Sequence, residues 1–143
     1  MRPQTLLHTI GLVTITMLSL VATAAEPSLK EIMQDLRDNL VEITDGLLVD
    51  DFDRVAQGAI NVAQHAHISA AQVKQIAAAL GPETPTFKQF DEQVHASSLA
   101  IASAASDKDR DAVIVNYRRM VDGCLTCHAA FKERVATALT KSP

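Results

Sequence analysis

Leu29, Ile32, Met33, Leu36, Leu40, Ile43 and Leu47 recur at steps of three and four, the spacing that lays side chains along one stripe of an α-helix. Ser28 with Glu31 three residues on predicts a capping box at its start, and Gly46 with the acidic pair Asp50-Asp51 predicts its end. Asp50 is the expected cap of a second helix, whose inward positions read Phe52, Val55, Ala56, Ala59, Ile60 and Ala63. Most of these are small, which lets a neighbouring helix or a large flat ligand come close. A short helix from about Ala70 to Leu80 follows Ser69 and Gln72, stops at Gly81-Pro82, and reads as a connector. Thr84-Pro85 predicts the cap and first turn of a third helix, carried by Phe87, Phe90, Val94 and Ile101 to about Ala105. Ser106 and Asp107 open the last, in which Ile114, Tyr117, Val121, Cys124, His128, Phe131 and Val135 keep the rhythm for about six turns. Cys124 and His128 are thus expected on a buried stripe. Four main helices with short loops after the first and third pack most simply as an all-α, antiparallel four-helix bundle.

The first 25 residues follow a different pattern. Arg2 is their only charged side chain, and an apolar run of 12 residues from Ile10 to Val21 is followed by Ala22-Thr23-Ala24-Ala25. This has the form of a cleaved secretory signal peptide, and the run is short of the roughly 20 residues that span a bilayer. Residues 26–143 then form the working domain. No cysteine lies at the expected cleavage site, so a soluble periplasmic address is the expectation.

Composition narrows the class further. The 143 residues are 48% hydrophobic with only five glycines and five prolines, which argues against an all-β or disordered chain. The formal charge is −4, from 13 Lys+Arg against 17 Asp+Glu, and becomes −5 once Arg2 is removed with the leader. With no run of basic residues along the chain, a nucleic-acid binder is not expected.

Both cysteines fall within Cys124-Leu125-Thr126-Cys127-His128, a C-x-x-C-H motif and the attachment signature of a c-type haem. Two thiols three positions apart on a helix reach the two vinyl groups on one porphyrin edge, and the adjacent imidazole binds iron from that side. Other chemistries fit less well. A disulfide within a helix has poor geometry, and a thioredoxin-type pair belongs at a helix N-terminus in a βαβ setting. A zinc site would need a further ligand beside Cys124, Cys127 and His128, such as His95. An export signal suits haem attachment, which in bacteria follows secretion.

A C-x-x-C-H near the C-terminus of an all-helical exported chain resembles the class II c-type cytochromes, the cytochrome c-prime family, over the whole of residues 26–143. His128-Ala129-Ala130-Phe131-Lys132 is similar to the family's haem histidine followed by an aromatic and a basic residue. Leu29-Lys30-Glu31-Ile32-Met33 is similar to the segment that presents a residue to the far face of the iron. The resemblance implies Cys124 and Cys127 as covalent haem attachments, His128 as the proximal iron ligand, and Met33 as the distal one, as in the low-spin branch. The sequence departs from the family in placing Gly123 directly before Cys124, in offering only Phe87 for a large aromatic early in the third helix, and in a shorter link before that helix.

Met120 stands eight residues before His128 on the same helix, about 12 Å along its axis, and cannot reach the opposite haem face. His65, His67 and His95 compete with Met33 less well: the first two are two apart at a helix end, and the third flanks Val94. Lys30, Arg37 and Lys132 are candidate partners of haem propionates, though such residues are more often solvated surface charges. The expected role is a monohaem one-electron carrier cycling Fe(III)/Fe(II), an electron-transfer protein and not an enzyme. Its net charge suggests redox partners with a basic docking patch. The resemblance also allows a homodimer through the first two helices. The alternative is a gas-binding protein for NO or CO with an open or displaceable sixth site.

Overall fold

The structure, a computed structural model, describes residues 26–140; the expected signal peptide lies outside them. Four long helices and one short one account for almost all of it: α1 (Leu29–Leu48), α2 (Phe52–Ala63), α3 (Ala70–Leu80), α4 (Thr84–Ser106) and α5 (Arg110–Thr140). Among the described residues there is no strand. No described helix is long and apolar enough to cross a membrane.

The caps are local chemistry, and three helix starts differ from the sequence expectation. The Ser28–Glu31 capping box is present: the Ser28 amide donates to the Glu31 carboxylate at 2.7 Å, and the Glu31 amide donates to the Ser28 hydroxyl at 3.3 Å. These bonds hold the Glu31 carboxyl below its usual range. Gly46 and Asp50-Asp51 bracket the end of α1 as expected, the Gly46 carbonyl accepting from the Val49 and Asp51 amides at 3.3 and 2.9 Å, but the glycine has a second role. It is buried at the crossing with α2, where a Cβ would sit 2.9 Å from Val55 Cγ2, and the helix runs on to Leu48. Asp50 turns the chain with φ +58° and pairs with Arg110, so the cap of α2 is Asp51, whose carboxylate accepts from the Arg54 amide at 3.0 Å.

Thr84 likewise does not cap α4, because a 3-10 turn over Gly81–Glu83 feeds straight into the helix and Thr84 closes that turn, its amide and its hydroxyl both donating to the Gly81 carbonyl, the hydroxyl at 2.8 Å. The last helix starts later than Ser106-Asp107. Lys108 takes φ +57°, and Asp109 accepts from the Ala112 amide at 3.0 Å, so α5 opens at Arg110.

Side-chain bonds give the topology. Asn61 of α2 donates to Asn39 of α1 at 2.9 Å, and a Cβ on Gly58 would lie 2.9 Å from Ile43 Cγ1, so the two helices run antiparallel in close contact. His95 Nδ1 of α4 lies 3.1 Å from the Ala63 carbonyl at the end of α2. Gln93 of α4 donates to the Arg119 carbonyl of α5 at 3.0 Å, and Phe87 meets Phe131 edge-on at 5.7 Å. Thr44 near the end of α1 bonds Tyr117 of α5 at 2.8 Å, while Leu29 at its start packs with Phe131 and Val135. The four long helices therefore alternate in direction around one bundle.

The core is divided. One cluster holds Ile43, Val55, Ala59, Val62, Ile101, Val113 and Met120; the other holds Leu29, Ile76, Leu80, Phe131 and Val135. Each fully buried aliphatic side chain contributes about 1.5–3 kcal/mol. The second cluster depends on α3, which is more than the connector its sequence suggests: Ile76 and Leu80 plug the open end of the bundle against α5.

Candidate functional site

Cys124, Cys127 and His128 lie on α5 at the level where one core cluster gives way to the other. Cys127 packs against the second cluster, while Leu36 and Val94 mark the edge of the first. Gly123, buried just before them, brings α4 close: a Cβ there would meet Gln93 Nε2 at 3.1 Å and Val94 Cγ2 at 3.2 Å. The sequence pattern singles out neither Gln93 nor this crossing.

The two thiols are free, and three residues of helix set them about 60° apart on adjacent positions. Both are half-buried. Burial pushes the Cys124 thiol up, and burial, followed by the nearby Cys124 and Asp91, pushes Cys127 up to about 11. Both are therefore neutral at pH 7. A redox-active dithiol needs a depressed thiol pKa, so this environment disfavours that chemistry.

The Thr44–Tyr117 bond fixes the relation between α1 and α5. Met33 is eleven residues before Thr44, and His128 is eleven residues after Tyr117. Eleven residues are about three turns, advancing about 16.5 Å and returning to within ~20° of the same face. In antiparallel helices both steps lead in one direction, so Met33 and His128 come to the same level along the seam where Thr44 and Tyr117 meet. Away from its two ends this seam is loosely packed, since among the four long helices the close pairs are α1 with α2, α2 with α4 and α4 with α5.

That position corrects one expectation. Met33 and His128 lie on the seam and not on buried stripes: Met33 is 38% exposed and His128 is exposed. The interior stripe of α1 runs through Leu29, Ile32 and Ile43, and that of α5 through Val113, Met120, Phe131 and Val135.

The remaining candidates are elsewhere. Met120 is 1% exposed in the first cluster, with the Ser98 hydroxyl 3.1 Å from its sulfur. His95 holds the Ala63 carbonyl, His65 bonds the Ala66 carbonyl at 2.8 Å and lies 3.8 Å from Asp91, and His67 is exposed. Lys30, Arg37 and Lys132 are exposed, and Arg37 is bonded to Asp38.

Among the described residues no three His, Cys, Asp or Glu side chains converge as a metal site would need, so Cys124, Cys127, His128 and His95 do not assemble the four donors of structural zinc. A haem asks for a different set: two thiols on one edge, a ligand from each face, and apolar walls. Neutral thiols at a junction between apolar clusters, with an imidazole and a thioether level across a loosely packed seam, meet that requirement. Phe90, 6.3 Å from Phe131 and packed with it against the second cluster, supplies apolar wall beside Phe87. No protein-family model matches the chain, and no curated protein or solved structure matches it.

Proposed function

We propose that this chain is an exported, periplasmic c-type cytochrome of the class II kind, carrying one haem c and acting as a one-electron carrier. Cys124 and Cys127 hold the haem through thioethers, His128 is the proximal iron ligand and Met33 the distal one. The observation that carries the reading is the register of the α1–α5 seam, which brings Met33 level with His128 beside a C-x-x-C-H motif. When bound, the haem supplies an iron that cycles between Fe(III) and Fe(II), one electron at a time.

The chain's own residues do the rest. Cys124 and Cys127 tie the cofactor to α5, and the bundle offers apolar surface from Leu36 and Val94 on one side and Phe87, Phe90 and Phe131 on the other. Met33 on a separate helix supplies a soft sulfur ligand, which favours the ferrous state relative to a second histidine and raises the potential.

One observation favours a second reading. Met33 is 38% exposed, so packing does not lock it against the iron, and a displaceable methionine would leave a site for NO or CO. A visible absorption spectrum of the protein expressed with export, oxidised, reduced and then under CO, tests both. Sharp reduced α and β bands, the weak long-wavelength ferric band of sulfur–iron ligation and no CO shift are the expected result. Broad high-spin bands that move under CO would give the gas-binding reading, and the lack of any Soret band would overturn the haem proposal.

A further inference from the structure

The charge of this molecule is unevenly placed around the α1–α5 seam. On α1 the acidic residues Glu31, Asp35, Asp38, Glu42 and Asp45 all fall on the outer side, about 100–180° around the axis from Thr44, whereas Lys30 and Arg37 fall within about 40° of it. Lys30 and Arg37 thus flank Met33 at i−3 and i+4 on its own face. On α5 the same steps from His128 lead to Leu125 and Lys132, and one heptad before Leu125 stands Arg118; Lys132, Leu125 and Arg118 lie about 60°, 80° and 100° around the axis from Tyr117, on the outward flank of the seam, with Asp122 at about 140°.

All four cations are exposed, and Arg118, Lys30 and Lys132 make no ion pair among the described residues. Leu125, the residue between the two cysteines' turns, is 64% exposed in their midst, and its neighbour Ala129 is small and exposed. Asp38, already bonded to Arg37, and Asp122 stand at the outer margin of this face. An apolar centre with a cationic rim spanning about 20 Å is the format of a small transient interface.

We propose that the α1–α5 seam face, centred on Leu125 and rimmed by Lys30, Arg37, Arg118 and Lys132, docks an acidic redox partner protein, one whose own electron-transfer group lies beneath a carboxylate-rich patch. The inference rests on the haem reading above and names the partner of that same site. It reverses the sign of partner suggested by the net charge of the chain, because the acidic surplus lies on the opposite side of α1 and at the α1–α2 corner, in Asp50, Asp51 and Asp53. The molecule is polarised, and an approaching anionic surface is turned toward the seam.

Two measurements on the full exported protein test this. In the first, the hexacyanochromate(III) trianion, a redox-inert relaxation probe, is titrated into the ¹⁵N-labelled protein. Broadening is expected at the amides of residues 30–37 and 118–132, and is lost in the Arg118→Glu, Lys132→Glu double variant. Broadening confined to other cations, such as Lys74 or Lys88, or spread evenly, overturns the proposal. In the second, electron exchange with ferricyanide is followed against ionic strength. The rate falls several-fold between low and moderate salt if the cationic face governs encounter, and rises if the net charge does, which would equally overturn the proposal. The relaxation map does not depend on haem, so a mapped face on a chain without a Soret band would sink the haem reading and leave the anionic docking face standing.

Discussion

Replacing Met33 by alanine separates two roles for the same side chain. As packing, Met33 is a modest contributor: fully buried methionines lose about 2–5 kcal/mol on truncation, and one that is 38% exposed at a loosely packed seam should lose about 1–2 kcal/mol. For a domain of this size each kcal/mol lowers the melting temperature by about 3–6 °C. A purely structural Met33 therefore predicts a fall of a few to about 10 °C in a circular dichroism melt and an unchanged visible spectrum. A ligand predicts the opposite emphasis: loss of the sulfur–iron band, conversion from low to high spin, and ready CO binding, whatever the melt shows. Met33→His refines the test, since it should restore a low-spin spectrum without the sulfur band and lower the reduction potential. A Met33→Ala protein that stays low-spin and inert to CO would refute the register argument that pairs Met33 with His128.

Other expectations follow from single contacts. Tyr117→Phe removes the 2.8 Å bond to Thr44 and should cost about 1 kcal/mol in a urea titration, with a larger shift in seam amides than elsewhere in the NMR spectrum. Gly58→Ala places a Cβ 3.1 Å from the Asn39 carbonyl and 3.2 Å from the Ile43 amide, backbone atoms that cannot turn aside. Overpacking of about 1–3 kcal/mol outweighs the helix-propensity gain of about 1 kcal/mol, so the variant should be less stable by about 1 kcal/mol, and a stabilised one would contradict the close crossing. In the chain without attached haem, Cys127 should react with iodoacetamide at a rate that rises through about pH 11, whereas an ordinary thiol rises near 9. Because that folded-state pKa is raised, the protonated thiol's contribution to stability is present below pH 9 and is lost as pH climbs through about 11. A full reaction rate already at pH 9 would count against the burial assigned to this thiol.

The helices were legible because their signals are local. The stripe of Leu29, Ile32 and Ile43, the Ser28–Glu31 cap and the Gly81-Pro82 break each involve residues within a turn or two, and each is present. What misled was also local: Thr84-Pro85 has the composition of a helix start, yet a preceding 3-10 turn takes over the start of α4, and Gly46, which does mark the end of α1, gives no sign in sequence that it also serves a helix crossing. Likewise Asp50 and Asp51 are equivalent to a reader of sequence, and only the turn at Asp50, with its Arg110 partner from a distant helix, decides which one caps.

The site was legible in its chemistry and not in its placement. Cys124, Cys127 and His128 announce themselves by spacing, but three-four periodicity assigns every apolar or semi-polar position to one buried stripe, and so it put His128 and Met33 inside. Resolving a seam from a stripe needs one long-range contact. Thr44–Tyr117 supplies it, 73 residues apart in sequence. The same contact exposes a pattern that counting charges had hidden. Lys30 and Arg37 are too far apart in sequence to form a basic run, as are Arg118 and Lys132, yet the helical repeat brings the first pair onto the seam and the second onto its outward flank on α5, while the carboxylates of α1 lie farther round, about 100–180° from Thr44. A net charge describes how the molecule behaves at distances beyond its own size, while a partner within a Debye length meets the face, so it is the local sign that decides which surface docks.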